Sequence, residues 1–307
     1  MLSVVFAIIP IFLLIALGGA LKRGNFPGDA FWPYADKMTY FIFFPALLVD
    51  NLSNARLGNL DPTGMLGALL AVILLQAALV YLLRPLAKVD GPGFTSLFQG
   101  STRFNTFVGL GAVAALEGGS GITLFAVAIS LAIPVLNVLC VLTLARYGAH
   151  GQGTTFRGQI LFLAKNPLII ACLLGILMNV TGLSLPRGID PVFKMLGSMA
   201  APMGLLTVGA GLQWEAARSG GRAVLMACAL KLVIYPLMLF GAAKVWGLGL
   251  LETKVMVLWG TMPTASASYI LARQMGGDAP LAAAIITIST ILAFVTVPVF
   301  MLLLGVY

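Results

Sequence analysis

The sequence predicts an all-α membrane protein: ten transmembrane helices in a 5+5 inverted repeat, with broken fourth and ninth helices that cross. Three observations carry this. Of 307 residues, 60% are hydrophobic and only 9% charged, at a mean hydropathy of +1.03, whereas a soluble domain carries about 25% charged residues. Apolar runs long enough to cross a bilayer recur along the whole chain, each helix needing about 20 residues against a hydrocarbon core of about 30 Å. Prolines and glycines of the first half recur in the second at nearly constant spacing. A transmembrane β-barrel is disfavoured, because barrel strands alternate apolar and polar residues and blocks such as 66–75 are almost unbroken apolar runs.

Apolar periodicity, Gly/Pro punctuation and charge clusters place the spans in order. The first, 3–21, closes at Lys22 and Arg23; without a basic leader or a small-residue cleavage site, it reads as a retained helix rather than a signal peptide. The second and third, 31–50 and 64–83, are followed by Arg56 and Arg84. The fourth and fifth, 94–116 and 121–145, end the first repeat, 1–145, and a cytoplasmic loop, 146–159, joins it to the second, 160–307. There the spans fall at 160–181, 191–213, 222–246, 253–275 and 279–305. No linker exceeds roughly fifteen residues, so 1–307 is one transmembrane domain.

The net charge of +8 would suggest nucleic acid in a soluble protein; here it reflects cations held on the cytoplasmic side. With the N-terminus outside, inner loops carry Lys22, Arg23, Arg84, Lys88, Arg146, Arg157, Lys165, Arg218, Arg222 and Arg273, and outer loops carry Arg56, Arg187, Lys244 and Lys254. Ten against four puts both termini on the outer, periplasmic side of a cell inner membrane. Cys140, Cys172 and Cys228 lie inside apolar runs without CxxC spacing and read as small core hydrophobes.

Pro10, Gly18, Lys37, Met38 and Pro45 match Pro167, Gly175, Lys194, Met195 and Pro202 at one offset of 157; Gly100 pairs with Gly260 at 160, and Pro134 with Pro298 at 164. Five spans per repeat is odd, so the second repeat enters the membrane inverted, as in alternating-access carriers. Such carriers bind substrate at mid-membrane on interrupted helices. The fourth and ninth spans are the candidates: Gly100-Ser-Thr-Arg-Phe-Asn-Thr-Phe-Val-Gly-Leu-Gly111 and Gly260-Thr-Met-Pro-Thr-Ala-Ser-Ala-Ser268. Each opens with glycine and sets hydroxyls and amides within an apolar span; Pro263 removes a helical hydrogen bond, and Gly109 and Gly111 loosen the fourth span. Packing of small residues around a proline kink is the competing account.

These segments resemble the auxin efflux carrier family. Asn105-Thr-Phe-Val-Gly-Leu-Gly111 is similar to the family's fourth-span motif, Met262-Pro-Thr-Ala-Ser-Ala-Ser-Tyr-Ile-Leu-Ala272 to its ninth-span motif, and Asn166-Pro167 through Gly175 to its sixth span. The family includes plant auxin exporters and bacterial carriers assigned to malonate, malate and related carboxylates. The resemblance implies a scaffold, an elevator-like moving domain, a crossover of broken helices and a homodimer, with Asn105 as a substrate-contacting asparagine. Gly111 stands where a crossover proline is frequent, and Ala267 where plant members have a second asparagine; auxin is a poor guess for the substrate, a small organic anion a reasonable one.

Residues expected to bind substrate are Arg103, Asn105, Thr106, Thr264, Ser266 and Lys231. A cation within a span faces a partner or a wet cavity: Arg103 either neutralises a substrate carboxylate bidentately or pairs with Glu117 or Asp50. Lys231 is either a second anion contact or a structural cation satisfied by carbonyls. Lys37 and Lys194 are expected to snorkel. Coupling stays open. Hydroxyls at Ser101, Thr102, Thr261, Thr264 and Ser266 are candidates for Na⁺, as in the bile-acid symporter fold. Asp36 and Glu117 are candidates for H⁺, although exposed helix-end positions are expected for both, and the sole histidine, His150, falls in a loop. Voltage-driven uniport also fits, at about 2.3 kcal/mol per charge per 100 mV.

The expected function is a secondary carrier of a small mono- or dicarboxylate, with a Na⁺-coupled symporter of bile-acid type as the alternative. No metal or organic cofactor is expected. An intramembrane enzyme would need convergent acid–base, nucleophile or metal-ligand sets, and the chain has no HExxH, no GxSxG and no carboxylate pair within a span. A membrane receptor would bind ligand without moving it, and the chain has no signalling domain.

Overall fold

The computed structural model describes residues 2–54, 62–149, 167–218 and 221–305. Arg56, His150, Arg157, Lys165, Asn166 and nearly all of the joining loop lie outside them. Every regular element among the described residues is helical. The first half holds α1 (Leu2–Arg23), α2 (Phe31–Met38), α3 (Phe44–Ser53), α4 (Pro62–Leu82), α5 (Arg84–Ala87), α6 (Gly91–Thr102) and α7 (Thr106–Tyr147). The second holds α8 (Pro167–Thr181), α9 (Asp190–Ser198), α10 (Ala200–Ala210), α11 (Trp214–Arg218), α12 (Arg222–Ala229), α13 (Tyr235–Val245), α14 (Leu250–Thr261), α15 (Ala267–Met275) and α16 (Ala279–Leu303). A π turn, Thr39–Phe43, carries α2 into α3, and another, Leu230–Ile234, carries α12 into α13.

Six helical stretches among the described residues are long and apolar enough to cross a membrane: Phe6–Arg23, Pro62–Leu82, Gly91–Tyr147, Asp190–Ala210, Arg222–Val245 and Ala279–Leu303. Helix α8 is apolar but shorter, and α14–α15 is interrupted. One expectation needs correcting. The fourth span begins at Gly91 rather than 94, because the Asp90 carboxylate accepts from the Gly93 N–H at 2.8 Å and caps α6. The fourth and fifth spans meet at a kink: α7 is two helices joined at Gly118, whose backbone is non-helical (φ 63°, ψ −151°), a conformation that glycine adopts without a Cβ clash.

Two helix pairs pack closely, α1 on α10 and α3 on α8. A Cβ on Gly18 would run into the Leu206 carbonyl of α10, and one on Gly175 would meet Leu52 of α3 at 2.7 Å. The glycines matched at offset 157 thus make equivalent close approaches. The helix ends sort onto two faces. On one, Arg23 lies over the Trp214 ring (4.8 Å), Ala149 N–H donates to the Gly276 carbonyl (2.7 Å) and Asp278 N–H to the Pro92 carbonyl (3.2 Å). At opposite helix ends, Asn179 donates to the Ser53 carbonyl (3.1 Å) and Lys254 pairs with Glu117 (3.6 Å). Leu13, Leu74, Leu75, Leu173, Leu177 and Phe294 are exposed, as expected where lipid rather than water is the neighbour. The three cysteines are free and buried.

Candidate functional site

Two breaks in the backbone build the site. Helix α6 stops at Thr102 and Arg103 turns extended (φ −80°, ψ 150°); α14 stops at Thr261 and Met262 does the same (φ −66°, ψ 142°). The breaks bond to each other: Asn105 N–H donates to the Pro263 carbonyl at 2.7 Å, and Thr264 Oγ1 donates to the Gly100 carbonyl at 2.7 Å. Non-helical backbone at membrane depth persists only where protein satisfies it, and these bonds do so. Behind the crossing, Phe104 and Phe125 pack on Trp259 with ring centroids 3.7 and 5.3 Å apart. Phe125 also fills the space that a Cβ on Gly109 would take, whereas one on Gly111 would sit 3.4 Å from Leu205.

Helices restart after the breaks. Asn105 caps α7, its Oδ1 accepting from the Phe107 and Val108 N–H groups at 3.0 and 3.2 Å, while its Nδ2 lies 3.4 Å from Ser266 Oγ. The starts of α7 and α15, Thr106 and Ala267, line a cavity of about 200 Å³ together with Arg103, Asn105, Ser266, Asn137, Asp36 and Tyr40. A helix start is the positive end of the peptide dipoles. Arg103 Nη2 donates to Asn137 Oδ1 at 3.2 Å. A second cavity of about 850 Å³ shares Asp36, Tyr40 and Ser266 with it and extends to Lys22, Asp29 and Gln213, next in sequence to Arg23 and Trp214. The arrangement presents one guanidinium, one carboxylate, two amides, hydroxyls and two helix starts inside an otherwise apolar lining.

The structure sorts the residues expected from sequence. Arg103, Asn105, Thr106, Ser266 and Asp36 come together at the cavity. Thr264 does not line it: the residue is 1% exposed, and its hydroxyl is engaged with Gly100. Lys231 does not line it either; its Nζ donates to the Gly260 carbonyl at 2.9 Å. The hydroxyls of Ser101, Thr102 and Thr261 turn back on their own helices, to the Leu97, Phe98 and Leu258 carbonyls. Arg103 pairs with neither Glu117 nor Asp50 but bonds Asn137. Glu117 is no exposed helix end: its side chain is 7% exposed and held by Lys254. Lys194 does reach outward, pairing with Asp190 at 2.8 Å, and Lys37 lies exposed near the Tyr34 ring.

Two residues escaped the sequence reading, Asn137 in α7 and Gln76 in α4. Each is a lone amide in an apolar span, and an amide at membrane depth demands a partner; that isolation was the available signal. Gln76 Nε2 donates to the Ser101 and Leu230 carbonyls, both at 3.0 Å.

A family of membrane transport proteins matches residues 157–301. A protein of Methanothermobacter thermautotrophicus described as an uncharacterized transporter is 24% identical over 303 residues, covering 97% of each chain. With broken helices crossing beside a polar cavity and apolar helices long enough to cross a membrane, the chain is similar in its second half to that family of membrane transport proteins, and along nearly its whole length to that transporter.

Proposed function

We propose that this chain is a membrane transporter and carries a small organic anion, a mono- or dicarboxylate, by alternating access about the crossover of α6–α7 with α14–α15. One observation carries the reading: Arg103 and the starts of α7 and α15 line the same cavity. A guanidinium matches a carboxylate bidentately, and helix starts favour anions. Asn105 Nδ2 and the hydroxyls of Thr106 and Ser266 would orient the bound group. Asp36 is the carboxylate lining the same cavity and so the candidate for a transported proton, since Glu117 is tied to Lys254.

The reading assumes ten spans in two inverted repeats. The reciprocal packing of α1 on α10 and α3 on α8, with Gly18 and Gly175 in equivalent contacts, supports that assignment. In it α1–α3 and α8–α10 form a scaffold, and the remaining helices carry the site past it. The sorted helix ends support placing Lys22, Arg23, Arg84, Lys88, Arg146, Arg222 and Arg273 on the cytoplasmic side of a cell inner membrane, with both termini outside. A homodimer follows from family likeness alone.

The test is uptake of labelled malonate, malate and indole acetate into proteoliposomes, each under no gradient, a Na⁺ gradient, a H⁺ gradient and an imposed potential. Saturable flux of one of them, reduced about a hundredfold in Arg103→Ala, is the expected result. Undiminished flux in Arg103→Ala would refute the site; no flux of any anion would refute the substrate class.

A further inference from the structure

A helix leaves its last carbonyls unbonded and presents a partial negative charge there. In discontinuous transporter helices these ends are where coupling cations are coordinated. Here the ends of α6 and α14 stop within the protein, and each is met by a buried polar side chain from the span before it. At α6, Gln76 of α4, 1% exposed, donates to the Ser101 carbonyl. At α14, Lys231 is 0% exposed and donates to the Gly260 carbonyl at 2.9 Å and the Trp259 carbonyl at 3.4 Å. Its Nζ also lies 4.6 Å from the centre of the Tyr235 ring, a face that attracts cations. Lys231 sits in the π turn Leu230–Ile234. The Leu230 carbonyl in that turn accepts from Gln76, which links the two caps directly.

We infer that the Lys231 ammonium is a built-in cation, filling at the end of α14 the place where an inorganic coupling ion would be coordinated. Carbonyl oxygens and an aromatic face are the ligand chemistry of a monovalent cation, and the lysine occupies them. The hydroxyls of Ser101, Thr102 and Thr261, which would complete a Na⁺ shell, bond within their own helices instead. Gly100 and Ser101 carbonyls are already engaged by Thr264 and Gln76. Wild-type protein thus holds no coupling Na⁺ at the crossover, and removing the lysine side chain exposes a site for one. The inference rests on the transporter reading for its meaning, but its test needs no substrate.

Thermal unfolding of the purified full-length protein is followed in NaCl and in choline chloride at equal ionic strength. Wild type is expected to unfold at the same temperature in both. Lys231→Ala is expected to be less stable in choline and to regain stability with Na⁺. Each tenfold rise in Na⁺ above the dissociation constant then raises the folded-to-unfolded ratio about tenfold. Lys231→Gln removes the charge, keeps a polar donor on a shorter side chain and serves if the alanine variant does not fold; it is expected to show the same Na⁺-specific gain. A saturable Na⁺ effect on wild type would overturn the inference, and that arm decides alone if neither variant folds. Folded variants indifferent to Na⁺ would overturn it equally. A failure of organic-anion flux in proteoliposomes would leave these results untouched, so the two readings fall separately.

Discussion

Asn105→Asp separates the two tasks of the residue at the centre of the crossover. The Asn105 Oδ1 holds the Phe107 and Val108 N–H groups at 3.0 and 3.2 Å, a capping task that aspartate performs as well as asparagine. Folding stability should therefore change by less than about 1 kcal/mol. Asn105→Ala, in contrast, strands both N–H groups at a position 2% exposed and should cost about 1–3 kcal/mol. Transport should respond in the opposite order. A carboxylate at position 105 would stand about 5 Å from a bound anion, and at an effective dielectric of about 20 their repulsion is about 3 kcal/mol. That corresponds to a loss of roughly two orders of magnitude in flux at low substrate. Labelled-carboxylate uptake and thermal unfolding of the same preparations measure both quantities. Thr264→Val is the control: it removes the bond to the Gly100 carbonyl and should lower stability by about 1–2 kcal/mol with KM unchanged. Wild-type flux in Asn105→Asp would refute the placement of the anion, and an aspartate variant as unstable as the alanine one would refute the capping argument.

Gly18→Ala drives a Cβ into the Leu206 backbone and Gly175→Ala drives one against Leu52, so each should destabilise by about 1–3 kcal/mol; Gly241→Ala, with nothing within 4 Å of its Cβ, should be neutral or stabilising by up to about 1 kcal/mol, all read by thermal unfolding. Because Cys140, Cys172 and Cys228 are buried, single cysteines at the exposed positions Lys88 and Gly182 should react with a membrane-impermeant maleimide from opposite sides. Labelling of both from intact cells would refute the two-faced assignment.

Much of the architecture was legible because it depends on local properties. Apolar runs bounded by Arg84, Arg146 and Arg222 marked helices wherever the run was continuous. The glycine and proline punctuation marked both breaks, at 103–105 and 262–266, since loss of helix at Pro263 needs no knowledge of what packs nearby. The Asn105 cap is local too, its partners being two and three residues on. The join between the fourth and fifth spans is local as well: Gly118, in the gap between 116 and 121, takes the non-helical backbone that separates the two helices.

The site was legible as a set of residue types and not as a set of contacts. Ser266, Thr264 and Lys231 look alike from sequence, being polar groups inside apolar spans. Only packing assigns Ser266 to the cavity, Thr264 to the Gly100 carbonyl 164 residues away, and Lys231 to carbonyls 28 and 29 residues on. Glu117 likewise becomes a buried partner of Lys254 rather than an exposed end.

By itself, then, the sequence determined that this chain lives in a membrane, where it becomes helical and where two of its helices must break. Hydrophobicity, backbone freedom and a missing N–H act within a few residues and need no tertiary partner. Which polar groups face a substrate and which satisfy the freed backbone was decided only by the tertiary structure. A hydrogen bond forms within about 3 Å, and in a bilayer, where water is not there to substitute, its partner is whichever distant helix packs against it.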